Sequence, residues 1–231
     1  MKKLSVGLGF LVLAFLFGTI PAAFAEEGEK DLWTGPYVGL VFGMGDGGIQ
    51  ETPDFGRNQA EVDGGVFGAL VGYNRRVGGS NLILGVEADV GKANISGSRT
   101  EDLCPGCVVS DVDTTETTIQ WLNTFRGRIG YDMGRTMPYV TAGAVYGEVK
   151  TSIRNERRFG ALVQTSNSWA EQAVLGYTLG AGMEYAATKK VTIGIEWLNL
   201  NVRLLDVADN FSARDVVLSG NIARASVKMS F

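Results

Sequence analysis

Residues 223–231 read Ala-Arg-Ala-Ser-Val-Lys-Met-Ser-Phe, and apolar and polar side chains alternate through all nine positions. Side chains on a β-strand point to opposite faces in turn, with a period of two residues. One face of the stretch is then apolar, formed by Ala223, Ala225, Val227, Met229 and Phe231, and the other is polar, formed by Arg224, Ser226, Lys228 and Ser230. The stretch predicts a β-strand with one apolar face that ends on an aromatic residue.

The first 25 residues have the pattern of a secretory signal peptide. A basic start at Lys2 and Lys3 precedes an apolar run over residues 6–20, and the small-x-small sequence AFA ends at Ala25. The alternative is an anchoring helix, but the apolar run is short and the cleavage pattern follows at once. We therefore expect cleavage after Ala25, which leaves one mature domain of residues 26–231.

Charge and composition argue against several classes of function. The chain has a formal net charge of −4 and contains no histidine. Loss of the two lysines of the signal peptide gives −4 − 2 = −6, so nucleic acid is not an expected partner. Without histidine, Ser–His and Asp–His catalysis and His-ligated metal or haem are excluded, although Tyr or Met ligation stays open. We expect no enzymatic activity, no cofactor and no metal site.

Seven further segments read as β-strands, most of them with the same alternation, so the mature chain is predicted to form one all-β domain. The eight segments cover about residues 35–45, 64–74, 82–92, 119–131, 138–150, 173–185, 191–201 and 223–231. No apolar run of about 18 residues follows the signal peptide, so no spanning helix is expected there. The fifth segment has small residues on both faces, and the sequence does not assign its inner face.

The connections between the segments alternate in length. Short turns lie near residues 75–81, 132–137 and 186–190, and long polar loops near residues 46–63, 93–118, 151–172 and 202–215. This alternation is typical of the periplasmic and extracellular ends of an up-and-down barrel in an outer membrane. We therefore predict an eight-stranded antiparallel up-and-down transmembrane β-barrel in the bacterial outer membrane. The last strand should close it against the first, near residues 37–43.

The polar faces of the strands carry a balanced set of charges. Eight residues are expected to point into the lumen: Glu87, Asp89, Arg126, Arg128, Glu184, Glu196, Arg224 and Lys228. Strands three and four are neighbours, so their acidic and basic pairs should face each other. Strands seven and eight are also neighbours, so Glu196 should meet Arg224 or Lys228. Buried charges must be paired, and a barrel of eight strands has room only for side chains. We interpret the set as a salt-bridged plug; the alternative is a narrow gated ion path.

Four aromatic residues lie at corresponding strand ends, on the apolar faces of strands two, four, six and eight. They are Tyr73, Tyr131, Tyr185 and Phe231. Aromatic rings prefer the headgroup region of a membrane, so the four are predicted to form a periplasmic girdle at the interface with the lipids. The alternative is coincidence, since strands are rich in Tyr and Phe in any case.

The two cysteines, Cys104 and Cys107, lie in the second long loop in the sequence Cys-Pro-Gly-Cys. In an exported protein such a pair favours one small disulfide that staples the loop. A thioredoxin-like redox site would need a helix in an α/β fold, and a zinc site would need two more ligands.

Four stretches together resemble the porin-like, opacity-type outer-membrane proteins, a family that includes the rhizobial and Brucella 25/31-kDa surface antigens. The stretches are WTGPYVG at 33–39, LGVEAD at 84–89, TFRGRIGY at 124–131 and GYTLGAGMEY at 176–185. The resemblance implies an eight-stranded OmpA-like barrel that the outer-membrane assembly machinery inserts. Members serve as surface proteins, adhesins, or binders of haemin and host factors, and some are called porins. The Cys-Pro-Gly-Cys loop departs from the family pattern, so no ligand is carried over.

From these features we expect a monomeric structural or surface-interaction protein. Its partners would be the lipids of the outer membrane, the assembly machinery through the last strand, and a host or surface ligand at the four long loops. The alternative function is a porin-like channel for ions or small solutes, lined by the eight charged residues.

Overall fold

A computed structural model describes the chain over residues 31–52, 60–102, 109–159, 162–204 and 215–231. The predicted signal peptide and the cysteine pair, Cys104 and Cys107, lie outside the described residues. Eight strands are present: β1 (Gly35–Thr52), β2 (Ala60–Arg76), β3 (Leu82–Asp102), β4 (Val109–Tyr131), β5 (Thr136–Phe159), β6 (Leu162–Ala186), β7 (Val191–Leu204) and β8 (Asp215–Ser230). Within the described ranges, no helix is long and apolar enough to cross a membrane.

Each strand pairs antiparallel with its neighbours in the sequence, and the sheet closes into a barrel. Closure joins β8 to β1, with Tyr37 opposite Ser230 and Gly43 opposite Arg224. The eight-stranded antiparallel barrel predicted from the alternating segments is confirmed, as is the place at which its last strand closes.

The tilt of the strands relative to the barrel axis follows from the register in which they pair. A row of directly opposed residues that starts at Gly39 on β1 crosses all eight strands and returns to β1 at Ile49, ten residues further on. A shift of ten residues around eight strands corresponds to a strand tilt of about 40°. This tilt leaves a lumen wide enough only for side chains.

The alternating pattern decides which side chains enter the lumen. On β1, for example, Val38, Leu40 and Phe42 are exposed on the outside, whereas Tyr37 and Val41 are buried inside. The structure also assigns β5, which the sequence left open: its buried set is Met137, Tyr139, Thr141, Val145 and Val149, and Val140 and Tyr146 face outward. The small residues of β5 had concealed this alternation.

Three of the four predicted long loops, at residues 46–63, 93–118 and 151–172, are strands over most of their length, and there the prediction was wrong. Residues 205–214 of the fourth lie outside the described residues. β3 and β4 have 21 and 23 residues, and β5 and β6 have 24 and 25. A membrane strand needs only about 9–11 residues, so these hairpins continue far beyond the membrane. The ribbons have polar side chains on both faces. They therefore lack the alternation of apolar and polar residues that marks a strand in the sequence. Backbone pairing between strands, for example at the threonines of β4, holds the ribbons together instead.

Candidate functional site

The centre of the lumen is occupied by charged side chains. Arg126 on β4 is completely buried. Its Nη2 lies 2.5 Å from Glu87 Oε1 and 3.0 Å from Asp89 Oδ2 on the neighbouring β3. Its Nη1 lies 3.0 Å from a carboxylate oxygen of Glu196 on β7, across the lumen. Direct pairing of β3 with β4 places Glu87 opposite Arg126, but only barrel closure brings Glu196 to them.

Among the acidic residues that the structure describes, Glu87 has the largest number of basic partners. Besides Arg126, it lies 3.2 Å from Arg128 Nη1 and 3.5 Å from Arg224 Nη2, and it accepts a hydrogen bond from Lys228 Nζ. The Tyr37 hydroxyl donates a further hydrogen bond to its Oε2 at 2.9 Å. One buried carboxylate on β3 therefore contacts side chains from three other strands, β1, β4 and β8.

The three other acids complete the network. Glu184 lies 2.6 Å from Arg128 Nη2 and 2.8 Å from Lys228 Nζ. Of the two bases proposed for Glu196 on β8, the structure places Arg224 against it, at 2.5 Å, while Lys228 reaches Glu87 and Glu184.

Asp89 accepts hydrogen bonds from Arg126, from Arg224 at 3.0 Å, and from the Thr124 hydroxyl at 2.7 Å. All eight predicted lumen residues thus form one connected group, the lumen charge network.

The network contains four carboxylates and four basic groups, so its formal charge is zero. A buried charge is tolerated only when it is paired and hydrogen-bonded, and leaving one unpaired is costly. Each of the eight has at least two partners of opposite charge. The arrangement is therefore self-neutralising, with contacts across the lumen as well as between adjacent strands.

Two buried tyrosines that sequence reasoning did not select support the network. The guanidinium of Arg128 lies 4.0 Å from the centre of the Tyr139 ring, and Lys228 Nζ lies 4.9 Å from the centre of the Tyr37 ring. Both are cation–π contacts. Tyr37 lies on the inward face of the first predicted segment, so the alternation in the sequence could have placed it in the lumen. Its partners come from other strands, and the sequence does not identify them. A Cβ atom at Gly72 would lie 2.3 Å from the Tyr37 ring, so glycine is needed there for the ring to fit.

Apolar side chains fill the lumen on the extracellular side of the network. This upper apolar layer consists of Val62, Ala93, Ile95, Ile119, Leu122, Val145, Val149, Val174, Leu198, Leu200, Val202 and Ile222. All are nearly or completely buried. The layer extends the packed lumen beyond the charges, and the predictions from sequence had not included it.

A second group closes the periplasmic end. This lower apolar layer consists of Trp33, Ile83, Met137 and Ala186. Trp33 precedes β1, and its Nε1 donates hydrogen bonds to Asp132 Oδ1 at 3.1 Å and to the carbonyl oxygen of Gly134 at 2.9 Å. Arg76, at the end of β2, pairs with Asp132 at 2.5 Å. The turn after β4 therefore ties the segment before β1 to the end of β2.

Two small cavities lie between these layers. A cavity beside Asn74, Glu184 and Lys228 has about 10 Å³ of free volume, and another beside Asp89 and Leu198 is the same size. A volume of this order accommodates about one water molecule.

The four predicted girdle residues all lie on the outer surface at the short-turn end of the barrel. Their side chains are 40–56 % exposed: Tyr73 at 40 %, Tyr131 at 53 %, Tyr185 at 43 % and Phe231 at 56 %. The backbone nitrogen of Phe231 donates a hydrogen bond to the carbonyl oxygen of Pro36 at 3.1 Å, which ties the end of the chain to β1.

The extracellular ribbon of β5 and β6 stands clear of the barrel. Residues 162–171 of β6 are exposed on both faces of the strand. Trp169 is 69 % exposed, and Lys150 Nζ lies 5.6 Å from the centre of its ring. Arg154 pairs with Glu156 at 2.7 Å. This ribbon presents basic, aromatic and polar groups to the medium outside the membrane.

Sequence comparison assigns the chain to a family. Residues 10–231 match the family described as outer membrane protein beta-barrel domain. The 31 kDa outer-membrane immunogenic protein of Brucella melitensis is 29 % identical over 194 residues, which is 78 % of this chain and 76 % of that protein. The 22 kDa outer membrane protein of Rhizobium leguminosarum bv. viciae is 32 % identical over 168 residues, 71 % of this chain and 62 % of that protein.

Among solved structures, Neisserial surface protein A is similar at 16 % identity with a TM-score of 0.41, over 86 % of this chain and 98 % of that one. The rhizobial and Brucella resemblance inferred from the four short stretches is confirmed by the relatives. The chain therefore belongs to the outer-membrane protein β-barrel family, and the outer membrane is its location.

Proposed function

We propose that this outer-membrane barrel is a structural and surface-interaction protein whose lumen is sealed and whose extracellular hairpins carry recognition. The observation that supports this best is the filling of the lumen by three successive layers: the lower apolar layer, the lumen charge network and the upper apolar layer. A barrel of this size encloses no more space than its side chains occupy. The Brucella relatives are named outer-membrane immunogenic proteins, which agrees with a role at the cell surface.

The lengths of the hairpins support the second half of the proposal. β5 and β6 exceed the length of a membrane strand by roughly 14 residues each, which corresponds to about 45 Å of ribbon at about 3.3 Å per residue. Trp169, Leu162 and Val163 are largely exposed on this ribbon. Exposed apolar groups rimmed by polar ones mark interaction sites. The assembly machinery would recognise the aromatic end of β8, as the family resemblance implies.

Removal of the β5–β6 ribbon tests recognition. Replacing residues 153–168 by Asn-Gly keeps Ser152 opposite Trp169 and supplies a two-residue hairpin turn, so the barrel should fold unchanged. We expect cells that carry the shortened protein to lose most of the attachment to serum-coated polystyrene that the full-length protein provides. Lys189→Ala, in the periplasmic turn, is the control. Unchanged attachment with a correctly inserted, heat-modifiable barrel would count against recognition by this ribbon.

A narrow channel is the second candidate function, and one feature of the network favours it. Arg126 Nε, Arg128 Nε and Arg224 Nη2 have no hydrogen-bond partner within the described part of the chain. Incompletely satisfied groups could exchange partners and admit an ion. A sealed lumen carries no ion current, whereas a channel does, so a conductance measurement distinguishes the two functions.

Wild-type protein in a planar phospholipid bilayer is therefore expected to give no discrete conductance steps, because the packed layers leave no continuous water path. The measurement is single-channel current at both polarities. Stable steps in the wild type that change in Arg126→Ala, but not in the exposed control Lys150→Ala, would establish the channel in place of the sealed lumen.

A further inference from the structure

The four longest strands form an open sheet above the barrel. β2 pairs with β3 only up to Ser96, and β7 pairs with β6 only from Val174. Beyond these points β3, β4, β5 and β6 stay paired with one another. Among the described strands, none covers the outer edge of β3 at 97–102 or of β6 at 162–173. The extracellular sheet, as we call residues 97–102, 109–118, 151–159 and 162–173, therefore has two edges that no described strand covers.

The edge of β6 has few of the features that normally prevent one strand from pairing with another. Residues 162–173 read LVQTSNSWAEQA and contain no proline, lysine or arginine. The pairing of β6 with β5 continues without a bulge from Leu162 to Tyr185. Exposed edge strands are usually blunted by such residues or by bulges, because an open edge is a template for another strand. A twelve-residue open edge therefore indicates a place where a further strand adds.

The two sides of the extracellular sheet carry opposite charge. The β3–β4 side, residues 97–102 and 109–118, contains five acidic residues and one arginine. The β5–β6 side, residues 151–159 and 162–173, contains three basic residues and two acidic ones. Arg154 and Arg158 share the single carboxylate of Glu156, at 2.7 and 3.8 Å, so positive charge remains in excess on that side. The sheet is thus electrically polarised from one edge to the other.

Strand direction makes the two edges complementary between neighbouring molecules. Copies inserted in one membrane share one orientation, so β3 runs away from the periplasm and β6 runs toward it in every copy. The β6 edge of one copy and the β3 edge of the next are therefore antiparallel. They can form the same kind of antiparallel hydrogen-bond ladder that joins the strands within the barrel. One row of opposed residues joins Gly97 on β3 to Ala170 on β6, so the two edges overlap along the sheet.

We propose that the extracellular sheet is a self-association surface, on which the basic β5–β6 side of one copy binds the acidic β3–β4 side of a second copy. The contact joins two different surfaces, so it repeats from copy to copy and produces rows of barrels in the membrane rather than a closed dimer. Backbone pairing between the β6 and β3 edges would supply the ladder, and the opposite charges would select the partner.

Two charge-reversed variants test this pairing. The first, Arg154→Glu with Arg158→Glu, makes the β5–β6 side acidic; the second, Glu101→Lys with Asp102→Lys and Glu116→Lys, makes the β3–β4 side basic. The control is Lys189→Glu with Lys190→Glu, which makes the same charge change as the first variant but in a periplasmic turn. Full-length proteins are compared by sedimentation in detergent at about 50 mM and about 500 mM salt, since high salt screens exposed charges. Heat-modifiable migration verifies that each variant is folded.

Wild type and control are expected to associate at low salt and to dissociate at high salt, and each reversed variant should bind itself roughly tenfold more weakly. An equimolar mixture of the two variants should associate again, because each then meets a surface of opposite charge. A wild type that stays monomeric throughout, or a mixture that stays monomeric, would overturn the proposal. So would association that requires an added anionic glycolipid, since the basic side would then bind lipid instead of a second copy.

Discussion

Glu87→Gln is expected to reduce the free energy of unfolding by about 3–5 kcal/mol, the cost typical of removing one member of a buried ion pair. The substitution keeps the shape of the side chain but removes a charge that lies against Arg126, Arg128, Arg224 and Lys228. The lumen then holds four basic groups and three carboxylates, and its packed interior solvates the excess charge poorly. The measurement is urea-induced unfolding in phospholipid vesicles, followed by tryptophan fluorescence.

The control for this variant is Glu171→Gln. Glu171 pairs with Lys150 at 3.5 Å, and both side chains are more than 40 % exposed. Exposed ion pairs contribute little, so this change should cost less than about 1 kcal/mol. If Glu87→Gln were no more destabilising than its control, the basic groups would be able to find other partners. A network that rearranges so easily would favour the channel function.

Trp33→Ala is expected to cost a similar amount, about 3–5 kcal/mol, as is usual when a buried tryptophan is truncated. Trp33 is only 4 % exposed and packs with Ile83, Met137 and Ala186 at the periplasmic end. The alanine would leave a cavity there and would leave the hydrogen-bond partners of the indole, including Asp132, without its donor. The same unfolding measurement applies, read by circular dichroism because the fluorophore itself is removed.

Two further variants separate packing from hydrogen bonding at this position. Trp33→Phe keeps most of the apolar volume and loses the donor, so we expect a cost nearer to 1 kcal/mol. Trp169→Ala removes a tryptophan that is 69 % exposed and should be close to neutral. A Trp33→Ala variant as stable as Trp169→Ala would show that the segment before β1 does not hold the periplasmic end closed.

Much of the barrel was predictable because one physical signal repeats in it. Wherever lipid lies on one side and the lumen on the other, apolar and polar side chains must alternate, and the printed sequence shows this directly at Val38–Gly43 and Ala223–Phe231. The same signal failed in β5, where small residues occupy both faces. It also failed in the extracellular ribbons, where water lies on both sides and nothing imposes alternation.

The sequence alone determined the strand number, the closure of β8 on β1 and the identity of the eight charged residues that point inward, because these follow from side-chain period and turn spacing. Only the tertiary structure decided which charges meet. Glu196 contacts Arg126 across the lumen, and Glu184 bridges Arg128 and Lys228, because closure with a shift of ten residues brings distant strands to the same level. Periodicity specifies the face of a strand, whereas partners across a lumen depend on the tilt and curvature of the whole sheet.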